Sequence, residues 1–145
     1  MKTTVRFTMM PGSDDLKPRK AHADDAAWDL RARTDLTVPS RIPTLVPTGL
    51  KLELPVGFEA QIRPRSGLAA KSGITLLNTP GTIDAGYRGE VACILFNTAE
   101  KPYEVRRGDR IAQMVIARLP DVELVETDEL SASERAEGGF GSTGK

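Results

Sequence analysis

Proline and glycine cut this chain into short pieces, and that limits its fold more than any other feature. All ten prolines fall between Pro11 and Pro120. Each removes a backbone donor and fixes φ, so long helices are not expected over that stretch. Between the breaks the residues pattern as strands. Thr3–Thr8 is β-rich and runs into the turn signal Pro11-Gly12. Gly49–Leu54 alternates apolar and polar, stops at Pro55-Val56-Gly57, and is followed by a second alternating run, Phe58–Ile62. That pair reads as a β-hairpin. Glu90–Asn97 contains a continuous apolar run, Val91–Phe96, which suits a strand buried on both faces. Arg110–Leu119 has a β-branched pair behind the Gly108-Asp109 turn and is expected to be a strand. The one helix candidate is Ser66–Lys71, with Ser66 as its N-cap and Gly73 just past its C-terminus. Strand after strand with turns between them predicts an all-β, jelly-roll-like sandwich or barrel over residues 1–130.

The final stretch, residues 131–145, breaks the pattern. Its one large apolar residue, Phe140, stands among glycines, serines and charges. Such a segment buries too little surface to order itself, so a flexible glycine-rich arm is expected. Frayed termini are common. A phenylalanine flanked by Gly138, Gly139 and Gly141 is unusual for one, because glycine lets the backbone lie close against another surface. Charge separates the same two regions. The chain is formally neutral, with 20 basic and 20 acidic residues. Asp121–Lys145 holds seven of the acidic residues and two of the basic ones, which leaves the body net positive. A neutral total does not favour a nucleic-acid or membrane binder, whereas a positive body suits an anionic ligand or is ordinary surface charge. The single cysteine, Cys93, sits in the Val91–Phe96 run and reads as a small core residue; one thiol fits a reducing compartment. Neither an N-terminal apolar leader nor a membrane-length apolar run is seen, so a cytoplasmic protein is expected.

Five segments carry the chemistry: Ala21–Leu30 (AHADDAAWDL), Arg63–Ala69 (RPRSGLA), Asn78–Glu90 (NTPGTIDAGYRGE), Arg107–Gln113 (RGDRIAQ) and Arg135–Gly144 (RAEGGFGSTG). Read alone, Arg65-Ser66-Gly67 is either a structural turn or an anion site made of helix amides, a hydroxyl and a guanidinium. Tyr87 reads as a core aromatic, Asn78 as a turn residue, and Asp109-Arg110 as a local ion pair or turn. Asp24 and Asp25 read as turn caps facing solvent, although with Asp29 they also resemble a carboxylate cluster. The lone His22 reads as an incidental loop residue.

Taken together and in this order, the five segments resemble the motifs of the trimeric deoxyuridine triphosphatases, from about Ala21 to Gly144. The resemblance implies hydrolysis of dUTP to dUMP and pyrophosphate, which limits uracil in DNA and supplies dUMP for thymidylate synthesis. It implies that Asp84 directs water at the α-phosphorus and holds the ribose 3′-hydroxyl. It gives Arg65, Ser66 and Gly67 to the triphosphate and makes Gln113 a ligand contact. Asn78 gives a side-chain contact and Thr82 also binds substrate, within a β-hairpin that reads uracil mainly through the main chain. Tyr87 packs on the deoxyribose where a 2′-hydroxyl would sit. In the arm it implies that Phe140 stacks on uracil, Arg135 pairs with the terminal phosphates, and Gly141, Ser142 and Thr143 complete a lid. Mg²⁺ is expected on the triphosphate, held mainly by phosphates and water, with Asp29 reaching it through water or orienting an arginine. A homotrimer with sites shared between subunits follows from the same resemblance. Three positions depart from the family pattern: Ala27 in a Gly-aromatic pair, Gly86 where a second acid is common, and Ala136 in place of a glycine.

Two other readings fit parts of the chain. A dCTP deaminase of the same superfamily shares the Ile83-Asp84-x-Gly86-aromatic stretch, but carries a catalytic glutamate about where Ile94 falls. A non-catalytic nucleotide sensor would have lost Asp84 or Arg135, and both are present.

Overall fold

The alternation of Gly49–Leu54 becomes the inner face of the longest strand. Leu50 and Leu52 point into the core while Lys51 faces solvent. The computed structural model describes residues 1–144, so Lys145, the last residue of the expected arm, lies outside the described residues. In chain order the strands are β1 (Arg6–Met9), β2 (Trp28–Arg31), β3 (Leu36–Val38), β4 (Thr44–Glu53) and β5 (Phe58–Arg63). The helix α1 (Ser66–Ser72) follows, then β6 (Ile74–Leu76), β7 (Gly81–Ile83), β8 (Glu90–Asn97), β9 (Tyr103–Val105) and β10 (Arg110–Arg118). A short 3₁₀ turn at Asp14–Leu16 pins the N-terminal segment by burying Leu16. Two four-stranded sheets, ordered β1-β4-β8-β6 and β2-β10-β5-β7, face each other, and β3-β9 forms a small third sheet. Every strand pairing is antiparallel. This is the all-β, jelly-roll-like architecture that the turn-cut sequence predicts.

The core lies between the large sheets. Leu50, Leu52, Val91, Cys93 and Leu95 come from one, and Leu30, Ala60, Ile62, Ala112 and Met114 from the other. Fully burying one such leucine contributes about 1.5–3 kcal/mol, so this layer dominates stability. Burial pushes the Cys93 thiol up to about 12, as expected for a core residue far from any activating charge. The buried Asn97 is fully satisfied: its amide donates to the carbonyls of Val38 and Lys101, and its oxygen accepts the Ala99 amide.

Four local expectations need correction. Gly49–Leu54 and Phe58–Ile62 do not form a hairpin: β4 pairs with β1 and β8, whereas β5 pairs with β10 and β7. Both strands bury one face, and Leu54–Gly57 carries the chain across the core, so the two buried faces meet instead of the two edges. Nor is Asn78–Glu90 a paired hairpin, because β7 joins β5 and β8 joins β4 and β6. Val91–Phe96 is fully buried on one face only, with Ala92, Ile94 and Phe96 partly covered on the other. Finally, the N-cap of α1 is Arg65, not Ser66, and it makes no side-chain cap bond. Gly73 ends the helix in the left-handed conformation at φ 65°, as its position predicts. Among the described residues, no helix is long and apolar enough to cross a membrane.

Beyond Arg118 there is no strand or helix in the described residues. Leu119 donates its amide to Gly57, the last recorded backbone bond to the body. Thereafter the hydrogen bonds of residues 127–144 close within the segment: Gly138, Ser142 and Gly144 donate back to Arg135, Gly139 and Gly141.

Candidate active site

Strand β10 lies between β2 and β5, and this brings three distant segments together. Gln113 stands opposite Asp29 on one side and Arg63 on the other. Around it opens a cleft of about 360 Å³ lined by Ala21, Asp25, Ala26, Ala27, Asp29, Arg65, Ser66, Gly67, Arg110 and Gln113. Arg65 Nε lies 3.8 Å from Asp29 Oδ1, and Arg110 Nη1 lies 3.6 Å from Asp29 Oδ2. Arg65 also donates to the Arg110 carbonyl at 3.2 Å, and Gln113 Nε2 donates to the Pro64 carbonyl at 2.9 Å. Two guanidiniums thus share the Asp29 carboxylate; with Asp25 also in the lining the cleft is formally neutral, and its two arginines converge on one side chain. Arg65 stands at the N-cap of α1, and a guanidinium has no acceptor for a helix amide, so Arg65 leaves the first amides of the helix without a capping side chain.

Of the residues in this cleft, Arg110 was not expected. Strict alternation sets Arg110 and Gln113 on opposite faces, but the register between β10 and β2 shifts between Arg110 and Ala112. The bulge buries Ile111 and Ala112 in succession and turns Arg110 to the Gln113 side. The one sequence signal is that adjacent apolar pair inside an alternating strand. Asp25 behaves as expected of a turn cap, accepting the His22 amide at 2.8 Å.

A second cleft, of about 430 Å³, lies against the partly covered face of β8. Leu45, Pro47, Thr82, Ile83, Asp84, Tyr87, Glu90, Ala92 and Ile94 line it. Asp84 directly follows β7 and opens a turn in which its carbonyl accepts the Tyr87 amide at 3.1 Å. The Tyr87 hydroxyl donates to the Glu90 carbonyl at 2.9 Å, while the ring stays 44% exposed at the cleft mouth. Gly86 has open space where a side chain would project, so the missing second acid costs the loop no packing. Asn78 is exposed beside this loop, near Gly81, and is not among the lining residues.

The structure therefore brings Asp29, Arg65, Ser66, Gly67 and Gln113 into one cleft and Thr82, Asp84 and Tyr87 into another, with no lining residue in common. It brings the arm to neither. Phe140 is fully exposed, and Arg135 donates to the carbonyl of Gly138. Ala136 and Phe140 both hold positive φ, at 49° and 50°, a conformation that strains a residue with a side chain.

A dUTPase family model matches residues 16–144. Deoxyuridine 5′-triphosphate nucleotidohydrolase of Neorickettsia sennetsu is 50% identical over 99% of this chain and 99% of its own. The protein of the same name from Gloeothece citriformis is 56% identical over 88% of each. Among solved structures, the dUTPase of Staphylococcus bacteriophage 80alpha with dUPNHPP superposes with a TM-score of 0.86. It is 24% identical, covering 99% of this chain and 100% of that one, a likeness of fold. On a family match across both clefts and the arm, and on relatives at half identity or more along nearly all its length, the chain belongs to the dUTPase family.

Proposed function

We propose that this chain hydrolyses dUTP to dUMP and pyrophosphate, with each site assembled from more than one copy of the chain. The observation that carries the proposal is the division of the site: a cleft where Arg65, Arg110 and Gln113 converge, and a separate cleft with Asp84 and Tyr87 over an apolar floor. The first suits a triphosphate and the second a deoxynucleoside. Because they share no lining residue, a closed homotrimer is the arrangement in which one copy's arginine-lined cleft faces another's nucleoside cleft. The exposed Ile42, Leu45 and Leu77 then become covered.

In this reading the exposed carboxylate of Asp84 accepts a proton from the attacking water and aims it in line at the α-phosphorus. Tyr87 fills the space below C2′. Arg65 and Arg110, fixed by Asp29, hold the phosphates together with Ser66, Gly67 and Gln113. Asn78 and Thr82 border the base. The arm closes from a neighbouring copy, with Phe140 on the uracil, Arg135 on the outer phosphates, and Gly141, Ser142 and Thr143 around them. Closure excludes water from the reacting centre.

Among the described residues, no three His, Cys, Asp or Glu side chains converge as a metal cage. Asp29 already faces two arginines. This donor set fits a Mg²⁺ that arrives on the triphosphate and touches protein through water, with Asp29 the nearest carboxylate to such water. When bound, the ion neutralises phosphate charge. Ile94 lies in the floor of the nucleoside cleft, where a deaminase needs a carboxylate, and this favours hydrolysis over deamination. The test is pyrophosphate release from dUTP, dCTP, dTTP and UTP by the purified protein with Mg²⁺. Release from dUTP far above the other three supports the proposal, and equal or absent release from dUTP contradicts it.

A further inference from the structure

We infer that Glu90, clamped by Arg33 and by the amide of Gly49, is a positioning residue that fixes Tyr87 and thereby sets discrimination at the sugar. The inference rests on the dUTP reading above and deepens it.

The clamp is built from a defect in the sheet. Between β4 and β8 the register runs from Pro47 opposite Ala92 to Lys51 opposite Glu90, so β4 carries extra residues there. Pro47 has no amide to donate, and Gly49 takes φ +76°. A side chain at Gly49 would fall 2.7 Å from the Ser13 hydroxyl and 3.1 Å from Arg33 Cδ, so only glycine fits. The Gly49 amide donates to Glu90 Oε2 at 2.8 Å. Arg33 grips the same carboxylate with Nε at 3.0 Å and Nη2 at 3.2 Å. Three donors on one half-buried carboxylate exceed what a surface strand needs.

The same residue meets the site through its main chain. Glu90 begins β8 directly behind the Asp84–Gly89 loop and lines the nucleoside cleft. Its carbonyl is the acceptor for the Tyr87 hydroxyl. Gly89 has no room for a side chain because the Tyr87 ring lies across it. Tyr87 is thus tethered at its tip to a residue whose own position is set by the bulge clamp. Pairing with Arg33 also neutralises a second carboxylate beside Asp84, where an unpaired one would oppose a triphosphate.

The test compares kcat and KM for dUTP and UTP in the parent, Glu90→Ala, Glu90→Gln, Tyr87→Phe and the Glu90→Ala/Tyr87→Phe double variant, with melting temperatures alongside. Glu90→Ala keeps the carbonyl that accepts the Tyr87 hydroxyl but releases it from the clamp, and is expected to lower the dUTP-to-UTP ratio of kcat/KM about five- to tenfold, the worth of the one neutral hydrogen bond a displaced carbonyl gives up. Most of the change should lie in KM. Glu90→Gln, which keeps an acceptor for Gly49 but loses the charge pair, should fall between. Tyr87→Phe removes the tether itself, so loosening its acceptor with Glu90→Ala should add nothing further. A lowered melting temperature with an unchanged ratio would make the clamp merely structural and overturn the inference. So would fully additive effects in the double variant. If Glu90→Ala does not fold, Glu90→Gln and Tyr87→Phe decide: an unchanged ratio in both overturns it. A parent inactive on dUTP refutes the proposed function itself, whereas an active parent with unmoved variants refutes only the clamp.

Discussion

Residues 6–118 and residues 119–144 place their apolar side chains in opposite ways. In β8 of the body, Val91, Cys93 and Leu95 are at most 1% exposed and alternate with partly covered neighbours. In residues 119–130, Val122, Leu124, Val125 and Leu130 stand 66–95% exposed, and in the arm Phe140 is fully exposed. The body closes its hydrogen bonds across strands distant in sequence, whereas the arm closes them within a few residues. Two of the arm's residues with side chains hold left-handed φ. A segment that keeps its aromatic in water and its backbone strained has no resting place on its own chain. The body buries its apolar side chains between its own sheets, and the C-terminal segment leaves its own exposed.

Thiol chemistry gives the widest contrast between the two. In the folded body, burial raises the Cys93 thiol from 9.0 to about 12. The thiolate fraction below pH 9 is therefore roughly a thousandfold lower than in the unfolded chain, and blocked access slows reaction further. Because the folded value is the raised one, this contribution to stability is complete below about pH 9 and is lost as the pH climbs toward 12. A thiol reagent should modify Cys93 only on unfolding. A reporter placed in the arm by Ser133→Cys, in a Cys93→Ser background, should react at once. Similar rates at the two positions would erase the distinction.

Core truncation should separate stability from chemistry. Leu95→Ala is expected to cost about 2–5 kcal/mol in denaturant unfolding. Removing Arg135–Lys145 should leave the unfolding midpoint in place. Asp84→Asn is expected to cut turnover by roughly a hundredfold or more with unfolding unchanged, the scale of losing a general base; near-parental turnover would remove Asp84 from that role. The smallest effect is expected at Ala136, where φ is 49°. Ala136→Gly relieves a strain of about 1 kcal/mol in this open arm, so closure becomes less favourable and KM for dUTP should rise a few-fold while the melting temperature stays fixed.

How far the sequence discloses this molecule differs with the kind of question. Strand positions were legible because burying one face forces period-two alternation, as in Gly49–Leu54 and Phe58–Ile62. Pairing partners were not, because alternation marks a face and says nothing of which edge it meets; hence the two expected hairpins that the sheets divide. Arg110 escaped notice because a bulge breaks the alternation that would have placed it. The Arg33–Glu90 clamp left no local trace, since its partners lie 57 residues apart. In the site, residue types and their order carried the family resemblance, and only the packing of β10 between β2 and β5 brought Asp29, Arg65 and Gln113 into one cleft.

The central claim is that two clefts and an arm from different copies complete one site, and complementation tests it most directly. One chain lacks Arg135–Lys145, and the other carries Asp84→Asn; each alone should be nearly inactive on dUTP. After co-refolding, mixed trimers contain sites that combine an intact Asp84 with an arm from another copy. The account predicts that dUTP hydrolysis reappears in proportion to the mixed trimers formed. If mixed trimers form and no activity returns, the arm does not act on a neighbour's site, and the divided-site account is wrong.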